Sequence, residues 1–94
     1  MNITITTTSQ TLKDILSNAG ITDFAKYTDG GNVKVVTLQN NGASNIWIST
    51  FGTAVAGQGI KLAPDMAVDF REVDLSDVNL IAEADNANVG IAIF

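Results

Sequence analysis

From residue 33 to residue 94 the chain is a succession of short strand-patterned runs, each closed by a turn cluster, and this rhythm restricts its possible folds most. Residues 33–38 are a β-branched run that ends at Asn40-Asn41-Gly42, a strong turn signal. In the next run Ile46 and Ile48 share one face and Trp47 takes the other. Gly52, Gly57 and Gly59 bracket a loop or a very short strand, and Pro64-Asp65 suits the centre of a type I turn. Met66, Val68 and Phe70 then alternate with Ala67, Asp69 and Arg71, a strand with one wet face. The parity flips at Val73 and Leu75, which calls for a bulge or bend near Glu72. Residues 78–84 read as another strand, 85–88 as a turn and 89–94 as the last strand.

The first third differs. Asn2-Ile3-Thr4-Ile5-Thr6 alternates as a half-buried strand, with Thr4, Thr6 and Thr8 toward water. Thr11 and Asp14 form a capping-box pattern, and Leu12, Ile15, Leu16 and Ala19 make one apolar helical stripe that Gly20 ends. Residues 21–32 read as a connector with a turn at Asp29-Gly30-Gly31-Asn32. Strands of this length, with turns every 8–12 residues, predict a mainly β chain: an antiparallel, jelly-roll-like β-sandwich with one short helix over about residues 11–19. Residues 1–94 read as a single sandwich domain.

Composition narrows the function classes. Ten acids against five bases give a net charge of −5, and Lys13, Lys26, Lys34, Lys61 and Arg71 are scattered. Phosphate neutralisation needs a basic patch, so neither nucleic acid nor an anionic membrane is an expected partner. No apolar run approaches the roughly 20 residues of a membrane helix, and the start carries no signal-peptide pattern. The expectation is synthesis in a cytoplasm. Cys and His are both absent, which removes disulfides, the commonest metal ligand and the usual base for a Ser or Thr nucleophile.

The remaining motifs weaken on inspection. Gly52–Gly57 has the opening spacing of a phosphate loop, but Gln58 and Gly59 stand where Lys and Ser/Thr must be. Asp65, Asp69, Glu72, Asp74 and Asp77 are oxygen-rich but lack the EF-hand spacing and its closing Glu. Paired carboxylates for glycoside chemistry need a cleft, and a sandwich of 94 residues leaves little depth for one. No catalytic residue, cofactor or metal site is expected.

Trp47 is the side chain that either reads a ligand or builds a contact. A sugar platform usually needs several rings, and the chain has one Trp and one Tyr. Trp is also enriched in cores and interfaces. The last strand favours building. Val89, Ile91 and Ile93 make one apolar face, while Gly90, Ala92 and Phe94 make a second, also uncharged. Ile81 likewise sits out of phase between Asn79 and Glu83. Antiparallel sheets commonly keep one face wet, so the expected subunit interface comprises Trp47, Ile81, Gly90, Ala92 and Phe94, in a homo-oligomer.

Residues 45–94 contain Ile46-Trp47-Ile48, Gly59-Ile60-Lys61-Leu62-Ala63-Pro64, the alternating strand to Phe70, Asp74-Leu75-Ser76, Leu80-Ile81-Ala82 and a final apolar strand. This pattern resembles that of small virion proteins of tailed bacteriophages, in head-decoration, neck and fibre-associated components. The sequence departs from it at Ser49-Thr50-Phe51, which delays the first glycine to Gly52. The resemblance implies a structural protein with a β-sandwich body and no catalytic residues to carry over. Similarity to capsid decoration (cement) proteins further implies a trimer on the capsid surface of the virion, in contact with the major capsid protein or other virion proteins. A neck, tail or fibre-associated protein is the alternative within this class. A carbohydrate-binding module using Trp47 is the alternative outside it.

Overall fold

The computed structural model describes residues 2–21, the main chain of residues 28–29, and residues 32–94. In chain order the elements are β1 (Asn2–Thr4), β2 (Gln10–Thr11), α1 (Leu12–Asn18), β3 (Thr28–Asp29), β4 (Asn32–Asn40), β5 (Ile46–Ser49), β6 (Ile60–Leu62), β7 (Ala67–Val73), a 3-10 turn (Leu75–Asp77), β8 (Asn79–Ala82) and β9 (Asn88–Ile93). Among the described residues they form two antiparallel sheets. One runs β1-β9-β4-β7, with β3 pairing the start of β4, and the other runs β2-β8-β5-β6. The architecture is mainly β and sandwich-like, with one short helix.

Period-two alternation builds the core between the sheets. Val36 and Leu38 of β4 face inward with Val89 and Ile91 of β9, and the half-buried Val68 and Phe70 of β7 pack against them. From the other sheet come Ile46 and Ile48 of β5, Leu80 and Ala82 of β8, and Leu62 of β6. Glu72 has a positive φ of 53°, the left-handed conformation that supplies the bend expected there and lets Val73 and Leu75 change sides. The strand expected over residues 78–84 is shorter, because Asp74 caps a 3-10 turn before it and the chain bends from Glu83 onward.

Helix α1 follows its sequence signals closely. The Thr11 hydroxyl accepts a hydrogen bond from the Asp14 N–H at 3.1 Å, the N-cap interaction. Leu12, Ile15 and Leu16 are buried, and full burial of such a side chain stabilises by about 1.5–3 kcal/mol. Ala19, expected on the buried stripe, is exposed because it is already the C-cap. Gly20 takes φ +90°, and the Ile21 N–H reaches back to the Leu16 carbonyl at 2.9 Å, which satisfies an end carbonyl as a Schellman motif does.

Two turns differ from expectation. At residues 63–66 the Met66 N–H donates to the Ala63 carbonyl, and Asp65 has φ 68°. A positive φ at the third position marks a type II turn rather than type I. The Asp65 N–H is simultaneously drawn to the Asn40 carbonyl at 2.8 Å, a contact from a distant strand that a local pattern does not contain. Strand β4 also runs two residues past 38, through Asn40, before the turn begins. The connector expected over residues 21–32 lies mostly outside the described residues.

Asn40 ties the two sheets together. It is fully buried, and its amide group donates to the Leu62 carbonyl on β6 at 2.7 Å and to the Ser44 carbonyl at 2.8 Å. Its side-chain oxygen accepts from the Gly42 N–H at 3.0 Å. Burying an amide is tolerable when its donors and acceptor are used, and here both donor bonds and an acceptor bond are made.

Candidate functional site

The structure separates the residues expected at one interface onto two surfaces. Trp47 and Ile81 are directly paired across β5 and β8 and half-buried on the outer face of their sheet. Gly90 and Ala92 lie on the outer face of the other sheet, with Phe94 just beyond β9. Strand parity alone made both groups outward, but only the pairing of strands assigns them to opposite sheets. A head-to-tail contact would join one surface to the other, whereas a twofold contact would use one of them alone.

Around Trp47 the side chains form a small polar frame. The indole Nε1–H donates to Glu83 Oε1 at 3.3 Å, and the Asn45 amide donates to Glu83 Oε2 at 2.9 Å. The main chain closes the same corner, with the Glu83 N–H donating to the Asn45 carbonyl at 3.0 Å. Lys61 of β6 is the cross-strand neighbour on the other side. Trp47 has one N–H donor, and Glu83 already holds it, so a ligand here would meet the ring face and Lys61. Glu83 was missed as a neighbour of Trp47. Its signal was the shared parity of Asn79, Ile81 and Glu83.

On the other sheet Gly90 is already covered from within the chain. The Asn41 amide donates to the Asn2 side-chain oxygen at 2.9 Å, and both atoms lie close above Gly90. Beside it, Ala92 is exposed and Phe94 is 69% exposed. A shallow depression of about 260 Å³ opens here, lined mainly by Asn2, Thr37, Gln39, Asn41 and Ala92.

The most exposed aromatic side chain among the described residues was not singled out by the pattern. Phe51 is 97% exposed, in a loop between β5 and β6 with no charged side chain from Ser49 to Ile60. The loop's root is fixed. Buried Ala54 donates its N–H to the Ser9 hydroxyl at 2.9 Å, and Gly59 packs on the Ile48 carbonyl with φ +87°. The available signal was an aromatic residue inside a glycine-rich, charge-free loop.

Among the described residues, no three His, Cys, Asp or Glu side chains gather where they could hold a metal ion. The titration of Asp74 is displaced. The Ser76 hydroxyl at 2.7 Å and then the Ser76 N–H at 2.9 Å hold its carboxyl below the ordinary 3.8. Partial desolvation works against this and Lys13 adds a little in its favour. The arrangement is a cap on the 3-10 turn. Among the described residues, no helix is long and apolar enough to cross a membrane. Compared with known proteins, the chain matches no family model, no curated protein and no solved structure.

Proposed function

We propose that this chain is a structural, non-enzymatic component of a tailed-phage virion: a capsid decoration (cement) protein. In this reading it is made in the host cytoplasm, associates as a trimer on the capsid surface and stabilises the head lattice through the major capsid protein. The observation that carries the reading is Phe51, an almost fully exposed aromatic on a loop whose root is anchored. Aromatic anchors on preorganised supports are what interfaces use, and the resemblance of residues 45–94 to small virion proteins points the same way.

Within this proposal the sandwich is a jelly roll. Its support is the strand order. With the short β3 pairing set aside, the sheets run first-eighth-third-sixth and second-seventh-fourth-fifth, the order produced when one long hairpin folds over on itself. Jelly rolls occur in viral capsids and in lectins alike, so fold alone does not choose the function.

The test is co-sedimentation of the purified chain with undecorated heads of the phage that encodes it. Saturable binding in hundreds of copies per head is expected, and Phe51→Ser should abolish it while leaving the thermal melt unchanged. No binding, or native heads lacking the chain, overturns the reading. One or a few dozen copies per particle would instead indicate the neck, tail or fibre alternative. Ala92→Asp and Trp47→Ala separate the two candidate trimer surfaces: the face in use is the one whose variant stays folded but no longer assembles.

The carbohydrate-binding reading is favoured by one observation, the grouping of Trp47, Lys61, Asn45 and Glu83 on one outer face. A glycan screen in which Trp47→Ala loses binding without unfolding would establish it.

A further inference from the structure

We propose that β7 is a self-complementary edge, and that two copies of this chain pair β7 against β7, antiparallel, about a twofold axis at Phe70. The contact is independent of the virion reading and uses neither the Trp47 face nor the Gly90–Phe94 face.

The main chain determines which groups are free. The Asn40 N–H donates to the Met66 carbonyl at 2.9 Å, and this pair continues the register in which Leu38 faces Val68 and Val36 faces Phe70. In an antiparallel ladder, residues alternate between turning both main-chain groups toward one neighbour and toward the other. As far as the bend at Glu72, the even-numbered residues of β7 therefore bond to β4, while Ala67, Asp69 and Arg71 aim their N–H and C=O groups away. Among the described residues no strand pairs with that side. A strand edge of this length is a ready template for another strand.

The side chains select the partner and the register. Pairing about Phe70 places Asp69 opposite Arg71 of the second copy, and Arg71 opposite its Asp69, so each pair exchanges main-chain hydrogen bonds and opposes unlike charges. Moving the twofold to either neighbouring residue, a two-residue change of register, puts Asp69 against Asp69 or Arg71 against Arg71, which is unfavourable. The Thr37 hydroxyl donates to Asp69 Oδ1 at 2.7 Å, which orients the carboxylate and leaves Oδ2 for the incoming guanidinium. Both Asp69 and Arg71 are exposed in the single chain. On the opposite side of the strand the two half-buried Phe70 rings meet at a non-hydrogen-bonded position, where facing side chains come closest. The left-handed Glu72 ends regular pairing and so limits the contact to the segment around Phe70.

Sedimentation velocity of the full chain, from about 1 μM to about 1 mM, reads the dimer directly. Arg71→Asp should weaken dimerisation at least about tenfold, because it opposes like charges. The double exchange Asp69→Arg/Arg71→Asp should restore the dimer, since the twofold again opposes unlike charges. Amide hydrogen exchange on the unmodified chain should show Asp69 and Arg71 becoming protected as concentration rises, with Leu38 unchanged. A chain monomeric over the whole range with unprotected Asp69 and Arg71 amides overturns the proposal, and the two charges then only blunt an edge. Dimerisation undiminished in Arg71→Asp, or not restored in a folded double exchange, overturns it equally.

Discussion

The side chains of Asn2, on β1, and Asn41, just past the end of β4, are hydrogen-bonded to each other at 2.9 Å above the face of Gly90. A Cβ at position 90 would lie 2.7 Å from the Asn41 amide nitrogen and 3.3 Å from the Asn2 oxygen. Both are ends of movable side chains, so Gly90→Ala should change stability by less than about 1 kcal/mol, the lost bond being offset by a stiffer unfolded chain. Gly42 meets main chain instead: its Cβ would press on the Asn86 carbonyl oxygen and lie 2.5 Å from the Asn88 nitrogen. Gly42→Ala should therefore cost about 1–3 kcal/mol. Urea titrations of the two variants test the order, and equal losses would contradict it.

Replacing Asn40 should be among the most damaging changes in the chain. Asn40→Ala removes its bonds to the Leu62 and Ser44 carbonyls and to the Gly42 N–H, and should cost about 3 kcal/mol or more. Asn40→Asp should be worse at neutral pH, because a buried carboxylate would face two carbonyl oxygens. The folded state holds that carboxyl protonated more readily than the unfolded one. The variant should regain stability as pH falls, and a melt series in pH measures this.

Helix α1 should contribute through its buried face. Leu16 is 1% exposed within the core, so Leu16→Ala should cost about 2–5 kcal/mol in chemical denaturation. A loss below about half a kcal/mol would mean that the helix does not pack as described.

Asp74 should give a pH-dependent contribution of known sign. Its folded carboxyl is held below the ordinary 3.8 by Ser76. The contribution is therefore fully present above that ordinary value and is lost as pH falls through the lowered folded one. Asp74→Asn and Ser76→Ala should each flatten this acid limb of the stability curve, and a limb identical to that of the unmodified chain would refute the assignment.

Strand parity was legible because it depends only on neighbours. Ile46 and Ile48 inward with Trp47 outward, and the change of side near Glu72, both follow from a period of two. What depends on a distant partner was not legible. The type of turn at Pro64-Asp65 is fixed together with the bond from Asp65 to Asn40, and Asn40 itself reads locally as the opening of a turn. That Trp47 and Ile81 lie on the outer face of one sheet, and Gly90 and Ala92 on that of the other, was not legible for the same reason. Alternation says that a residue points outward, but strand pairing decides from which sheet. Phe51 escaped because its loop has no period from which exposure could be inferred.

The pairing of β1 with β9 and of β2 with β8 has a consequence for synthesis. Residues 2–4 wait for residues 88–90, and residues 10–11 wait for residues 79–80, so one sheet closes only once β9 has left the ribosome and the other only once β8 has. Such long-range pairing folds slowly, on the order of milliseconds to seconds. The outer face of the sheet that holds Gly90 and Ala92 is therefore completed only when the last strand, β9, is free to dock between β1 and β4.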